Sequence, residues 1–273
     1  DKMSLAYLEN GILMSSAAGA HYYSFSGRQY AEEVLSMDNP VLSASAKAGV
    51  VYDAGGQSLF LFRGTEEVFD LSLEGDGDLL SARANDSGWL AVTAQQSGYK
   101  GSVTVYNVNS TSRKEIIQLN FSSVFVADAA VSPDSKTVAV ITIGQENGSF
   151  FSQLLLYPVD SSEPSATLSL GNLAVLDLDY EAEQLWVLGE DRLLSVAADG
   201  SDYETYSFGR SYLKGCHLGG DGFAVLLLGR YQAGGAEQVL TIDPQCQLIA
   251  QAPLRGQVLS FSAAGRYLSL LTG

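Results

Sequence analysis

One short pattern recurs seven times along this chain, and it constrains the fold more than any other feature. An apolar residue is followed by two small or polar residues separated by one position, then by a turn and a second apolar run. The pattern is clearest at Leu42-Ser43-Ala44-Ser45-Ala46 before Val50-Val51-Tyr52, and at Leu80-Ser81-Ala82-Arg83-Ala84 before Trp89-Leu90-Ala91-Val92. Further copies open at Ala127, Leu176, Lys214 and Leu259, and a degenerate first copy runs from Ser4 to Leu8. Their anchors at positions 5, 43, 81, 128, 177, 215 and 260 are about 38 to 49 residues apart, the repeat length of a four-stranded propeller blade.

Each interval holds two more strand-like runs, such as Ser102–Val108 and Glu115–Leu119, or Gln153–Val159 and Ala166–Leu170. Alternation and β-branched residues mark these runs as strands. Turn residues separate them, as in Asp53-Ala54-Gly55-Gly56 and Ser132-Pro133-Asp134-Ser135. The reading is an all-β chain folded as a β-propeller of about seven four-stranded blades, the last one incomplete, with six or eight blades as the alternatives. Residues 1–273 form a single propeller domain, with blades at about 1–37, 38–74, 75–121, 122–170, 171–209, 210–254 and 255–273. Inner strands of a propeller converge on its axis, which favours small residues there. The column Ala6, Ala44, Ala82 and Ala129 fits, before it changes to Leu178, Cys216 and Phe261.

Charge narrows the partners. The formal net charge is -16, from 31 acidic and 15 basic residues, and no basic run tracks a phosphate backbone. Nucleic acid is therefore not an expected partner, nor is an anionic membrane surface. No window of 18 apolar residues exists, so the chain inserts no helix into a bilayer. It starts at Asp1 and stops at Gly273 directly after a strand-like run, which suggests a piece of a longer polypeptide. In that case Arg266–Thr272 is an open sheet edge capable of weak self-association.

The hairpins resemble the generic repeat of quinoprotein-like and WD40-like propellers, without the Gly-His and Trp-Asp dipeptides of the latter. A closer resemblance rests on Asn39–Ser45, Ser97–Asn107, Ala130–Asp134 and Leu227–Tyr231. In these residues the chain is similar to an uncharacterised bacterial family, domain of unknown function 5711, over nearly its whole length. The resemblance implies an extracytoplasmic propeller tethered to the cell membrane by an N-terminal segment absent from this chain, and implies no known activity.

Catalytic signatures are scarce. There are two histidines, too few for a His-rich metal centre: His21 reads as surface and His217 as a structural imidazole on an inner strand. No G-x-S-x-G elbow occurs, and Gly75-Asp76-Gly77-Asp78 reads as a solvated acidic turn rather than a Ca²⁺ loop. No adjacent cysteine pair supports a quinone cofactor, and Trp89 and Trp186 fall at second-strand core positions, so no cofactor is expected. Four Asn-x-Ser/Thr triplets, at Asn85, Asn109, Asn120 and Asn147, carry little meaning in a bacterial protein.

The candidate channel-facing polar residues are Arg83, Asp128, Asp177, Asp179 and His217. Asp177 and Asp179 share one side of a strand, and Asp128 occupies the column of Asp177 one blade earlier. A carbohydrate-active hydrolase or lyase could use these three carboxylates; the alternative is that they bond backbone amides. Loops at Gln95–Gly101, Gly144–Ser149 and Gly229–Gly235 fall at the same hairpin of three blades. They favour a non-catalytic binding or scaffold module that recognises a protein, peptide or glycan through one propeller face.

Cys216 lies on an inner strand and Cys246 at a hairpin tip two strands away, about 10 Å apart laterally, beyond the roughly 7 Å between Cα atoms that a disulfide allows. No disulfide is expected. Thiol titration under denaturing, non-reducing conditions should find two reactive groups per chain, and a value near zero would overturn the blade layout around both residues.

Overall fold

The computed structural model describes residues 3–75 and 77–273, whose regular elements are all β-strands. Every sheet is a meander of antiparallel neighbours in chain order. The first holds β1 (Ser4–Leu8), β2 (Gly11–Ser16), β3 (Gly19–Ser24) and β4 (Gln29–Val34). The second holds β5 (Pro40–Ala44), β6 (Ala48–Asp53), β7 (Ser58–Arg63) and β8 (Glu66–Ser72). In the third are β9 (Leu79–Ala84), β10 (Trp89–Ala94), β11 (Gly101–Asn107) and β12 (Glu115–Phe121), and in the fourth β13 (Phe125–Val131), β14 (Thr137–Glu146), β15 (Ser149–Pro158) and β16 (Ala166–Gly171). The fifth has β17 (Val175–Tyr180), β18 (Gln184–Gly189), β19 (Arg192–Ala197) and β20 (Tyr203–Ser207). The sixth has β21 (Tyr212–Gly220), β22 (Phe223–Gly229), β23 (Gln238–Ile242) and β24 (Leu248–Pro253), and the seventh only β25 (Val258–Ala264) and β26 (Tyr267–Thr272). Six full blades and one two-stranded blade agree with the sequence reading.

The chain divides into two compact units, Asp1–Asn172 and Leu173–Gly273. The first contains sheets one to four, the second sheets five to seven.

In both units the hydrophobic core lies between successive sheets. A strand alternates its side chains between two faces, and here both faces are apolar along the second strand. Val50 and Tyr52 of β6 join the cluster shared with the third sheet, while Val51 joins the cluster shared with the first. Leu226 and Leu228 of β22 pack towards the fifth sheet, and Val225 and Leu227 towards the seventh. β6 and β18 are accordingly buried almost throughout, while the fourth strand β24 is exposed along its length.

The inner strands deviate from regular pairing at one recurring place. Register slips by one residue at Leu80, Ala127, Leu176, Lys214 and Leu259, between Leu79 and Ser81, Val126 and Asp128, Val175 and Asp177, Leu213 and Gly215, and Val258 and Ser260. Each slip is a β-bulge, which turns the strand and re-aims the next side chain. The residue after the bulge is the anchor of the repeat found in the sequence: Ser81, Asp128, Asp177, Gly215 and Ser260.

Trp186 of β18 is fully buried among Leu188, Leu226 and Leu240, as its second-strand assignment requires. Its indole N–H finds no hydrogen-bond partner among the described residues. Trp186→Ala should lower stability by about 3 to 5 kcal/mol through the cavity it leaves. Trp186→Phe, which also removes the orphaned donor, should cost markedly less. Urea denaturation of both variants would check this, and equal losses would contradict it.

Candidate functional site

Polar groups that the sequence placed near the inner strands form two separate constellations, one in each unit. In the first, the Asp128 carboxylate is nearly buried and fully engaged. Its Oδ1 accepts hydrogen bonds from Ser81 Oγ at 2.6 Å, Arg83 Nε at 3.0 Å and the backbone N–H of Ala129 at 2.9 Å. Its Oδ2 accepts from Arg83 Nη2 at 2.8 Å and from Nε at 3.1 Å. Tyr52 of β6 reaches the same group through Ser81 and the backbone of Ala82; burial first, and then the Asp128 charge, raises its phenol above the usual value. The network thus ties β6, β9 and β13, one strand from each of three successive blades.

Sequence reasoning named Arg83 and Asp128 and missed Ser81 and Tyr52. A signal for both existed. Ser81 is the repeat anchor itself, and a tyrosine closing a buried second strand needs a partner for its hydroxyl.

In the second unit, Asp177 and Asp179 stand on β17, and Cys216 and His217 on β21. Asp177 Oδ1 accepts the N–H of Leu178 at 2.8 Å, repeating the Asp128–Ala129 arrangement. Burial raises the Cys216 thiol far above its usual range, and the charges of Asp177 and Asp179 raise it further. Burial also lowers the His217 imidazole, against the pull of Asp177. His217 Nδ1 accepts the Gly219 N–H at 3.1 Å, so the neutral ring carries its proton on Nε2, and the ring meets Phe261 edge-on at 6.4 Å. Such an environment keeps the thiol protonated and the imidazole neutral, which is the opposite of an activated nucleophile pair. Cys246, pushed up to about 11 mainly by burial, is likewise an unreactive thiol, and both cysteines are free.

His21 sits 3.5 Å from Glu32 and stacks near Tyr23. Asp76 of the acidic turn lies outside the described residues. No group of three or more His, Cys, Asp or Glu among the described residues is placed to hold a metal ion. The stretch Gly144–Ser149, read as a loop, is instead a continuation of β14 and β15 paired out to Glu146 and Ser149. Asn147 and Gly148 have φ of 51° and 80°, as a tight two-residue hairpin turn demands. The Asn-Gly pair carried that signal.

The two ends of the blades differ in character. One end, where inner strands begin and second strands turn into third, is called the leading end here. In the first unit it exposes Met3 and Leu5, Val34 and Leu35, Leu80 and Tyr99, and Phe125 and Phe150; the opposite end exposes Tyr7 and Phe25. Eight large apolar residues against two, among the described residues, is a marked asymmetry. Lys100 extends it, with its ammonium 5.1 Å above the Phe125 ring and bonded to the Ser123 carbonyl.

Along the outer strands, a cleft of about 530 Å³ is lined by Glu33, Glu67, Asp70, Phe69 and Lys114. Burial pushes the Glu67 carboxyl up to about 8, helped by a hydrogen bond and charge from Glu33 and by the charge of Asp70.

Comparisons with known proteins agree on the class. Over 99% of its length the chain is similar to the β-propeller domain of Cps50 (Swd1) from Myceliophteria thermophila, at 8% identity and a TM-score of 0.67, covering 92% of that chain. It is also similar to a chain of a mitotic checkpoint complex (15% identity, TM-score 0.65, covering 98% of this chain and 83% of that one) and to one of Kuenenia stuttgartiensis hydrazine synthase (11%, 0.64, 98% and 94%). At these identities the likeness establishes the fold alone: the protein is a β-propeller of about seven blades. No curated protein matches it in sequence. A family model described as a family of unknown function, DUF5711, matches residues 1–169, and the chain belongs to that family.

Two outcomes follow from the site. Asp128→Asn should cost about 2 to 4 kcal/mol, because Arg83 is left without its counter-charge in a largely buried place. The double variant Asp128→Leu with Arg83→Met should lose less than the sum of its singles in denaturation. For Glu67 the folded state holds the proton more tightly than the unfolded chain, so its contribution is present below about pH 4.5 and is lost as pH rises towards about 8. The melting temperature should fall across that window, and Glu67→Gln should flatten the fall.

Proposed function

We propose that this protein is a non-catalytic binding module that engages a protein or peptide through the leading ends of its blades. The observation that carries the reading is the apolar asymmetry of the first unit. Exposed aromatic and aliphatic side chains concentrated on one end of a soluble sheet protein mark an interaction site, and aromatic residues dominate the energetics of such sites. The inner-strand carboxylates support it from the other direction. Asp128 has its oxygens engaged by Arg83, Ser81 and Ala129, which argues against its use as the free carboxylate of a hydrolase. The family resemblance supports a place outside the cytoplasmic membrane, and protein partners accord with a fold also present in a mitotic checkpoint complex.

Site-specific photo-crosslinking in the native host tests the reading. A benzophenone side chain at Phe125 or Phe150 should give discrete partner adducts, and the same probe at Tyr7 or Phe25 should give none. Phe125→Asp with Phe150→Asp should weaken capture of the identified partner at least tenfold, about 1.4 kcal/mol. Adducts spread equally over both ends would overturn the proposal.

A further inference from the structure

The second unit is polarised in charge. Residues 173–273 contain six Lys and Arg. Five of them, Arg192, Arg210, Lys214, Arg230 and Arg255, lie at the leading end, in its turns or on the first residues of its strands. Glu181, Glu183, Asp199, Asp202, Asp221 and Asp243 lie in the hairpins of the opposite end, where Arg266 is the single base. By the same measure the acids at the leading end are Asp177, on the third residue of β17, and Glu190, Asp191 and Glu237 in its turns. In a chain carrying a net charge of -16, this is a local reversal of sign.

Three of the bases, Arg210, Lys214 and Arg230, lie with exposed tyrosines at one corner of the sixth sheet. Tyr212 opens β21 directly opposite Gly229, the last residue of β22, so Arg210 and Arg230 flank the same edge. Tyr212 is 43% exposed and Tyr231 66%. Lys214 sits at the bulge, with Nζ bonded to the Gln232 carbonyl at 2.8 Å and 6.0 Å from the Tyr212 ring. Arg230 uses Nε to bond Glu237 at 2.7 Å, yet its side chain is 76% exposed, which leaves the rest of the guanidinium fork facing solvent. Gly229 is required here, because a Cβ at that position would come within 2.5 Å of the Gly235 carbonyl and push the loop off the edge.

We infer that this corner is the docking site of an acidic, extended peptide segment carrying an apolar residue. Carboxylates of the segment meet Arg210, Lys214 and Arg230, and its apolar side chain covers Tyr212 and Tyr231. Charge complementarity sets the partner's sign, since arginine forks match carboxylates, and tyrosine and arginine are both enriched in protein recognition hot spots. A nucleic acid fits less well: five bases interleaved with four acids do not form a track for a phosphate backbone. This inference rests on the binding-module reading and adds to it the chemistry of the partner.

The test is fluorescence anisotropy with a labelled peptide of glutamates flanking a central Phe-Phe pair, alongside its glutamine counterpart and an oligothymidine. The glutamate peptide should bind, and its affinity should fall at least tenfold as salt is raised past the point where screening sets in. Arg210→Glu with Lys214→Glu should weaken it at least tenfold, whereas Arg266→Glu at the opposite end should leave it unchanged; melting curves confirm that the variants fold. No binding, or binding indifferent to the double variant, overturns the acidic-peptide inference. Equal binding of the glutamine peptide, lost on Tyr231→Asp, overturns the charge chemistry while retaining a binding module. Preference for the oligothymidine overturns both the inference and the peptide class.

Discussion

The second, third and sixth sheets are apolar on both faces, and the packing of the structure depends on that. An antiparallel sheet commonly keeps one face in water; here Val50 and Val51 of one strand, or Val225 and Leu226 of another, feed two different cores. A sheet of this kind cannot stand alone and is stable only with another sheet against each face. The repeat is the sequence-level form of that requirement, because each copy supplies one such sheet.

Burying both faces removes most polar groups from the sheet interiors and leaves them the inner strands, the outer strands and the blade ends. On the inner strands the bulge frees a backbone N–H beside a side chain that can accept it, and Asp128 and Asp177 do so in the same way. In the first unit the acid also gathers Arg83 and Ser81, and Tyr52 through Ser81, so the polar group becomes a tie between three blades rather than a reactive one. In the second unit, burial keeps Cys216 protonated and His217 neutral. The inner-strand acids, thiol and imidazole are thus held in packed or hydrogen-bonded surroundings.

Strand content, repeat spacing and the sheet count were legible in the residues themselves, since alternation and turn chemistry act over a few positions and leave a local imprint. Leu185-Trp186-Val187 reads as a buried second strand because no solvent-facing position interrupts it. The Asn147-Gly148 turn carried an equally local signal, hidden behind the assumption that a glycine-bounded polar stretch is a loop. Arg83 and Asp128 were visible as polar residues at a repeated position, and family membership was visible in Ser97–Asn107, within the matched residues 1–169.

Tertiary structure decided what those residues do. That Arg83 and Asp128 bond each other, and Ser81 with them, depends on strands 45 or more residues apart in sequence meeting at the right height, which no local pattern specifies. The bulge is likewise a product of pairing, because a register slip exists only between two strands. The difference between the blade ends follows from strand direction: alternate strands reverse, so residues far apart in sequence, such as Phe125 and Phe150 or Tyr212 and Tyr231, arrive at one end. Sequence by itself determined that this chain must stack double-faced sheets, because side-chain polarity along a strand is a local property; only the assembled sheets determined which side chains meet, because contact is not.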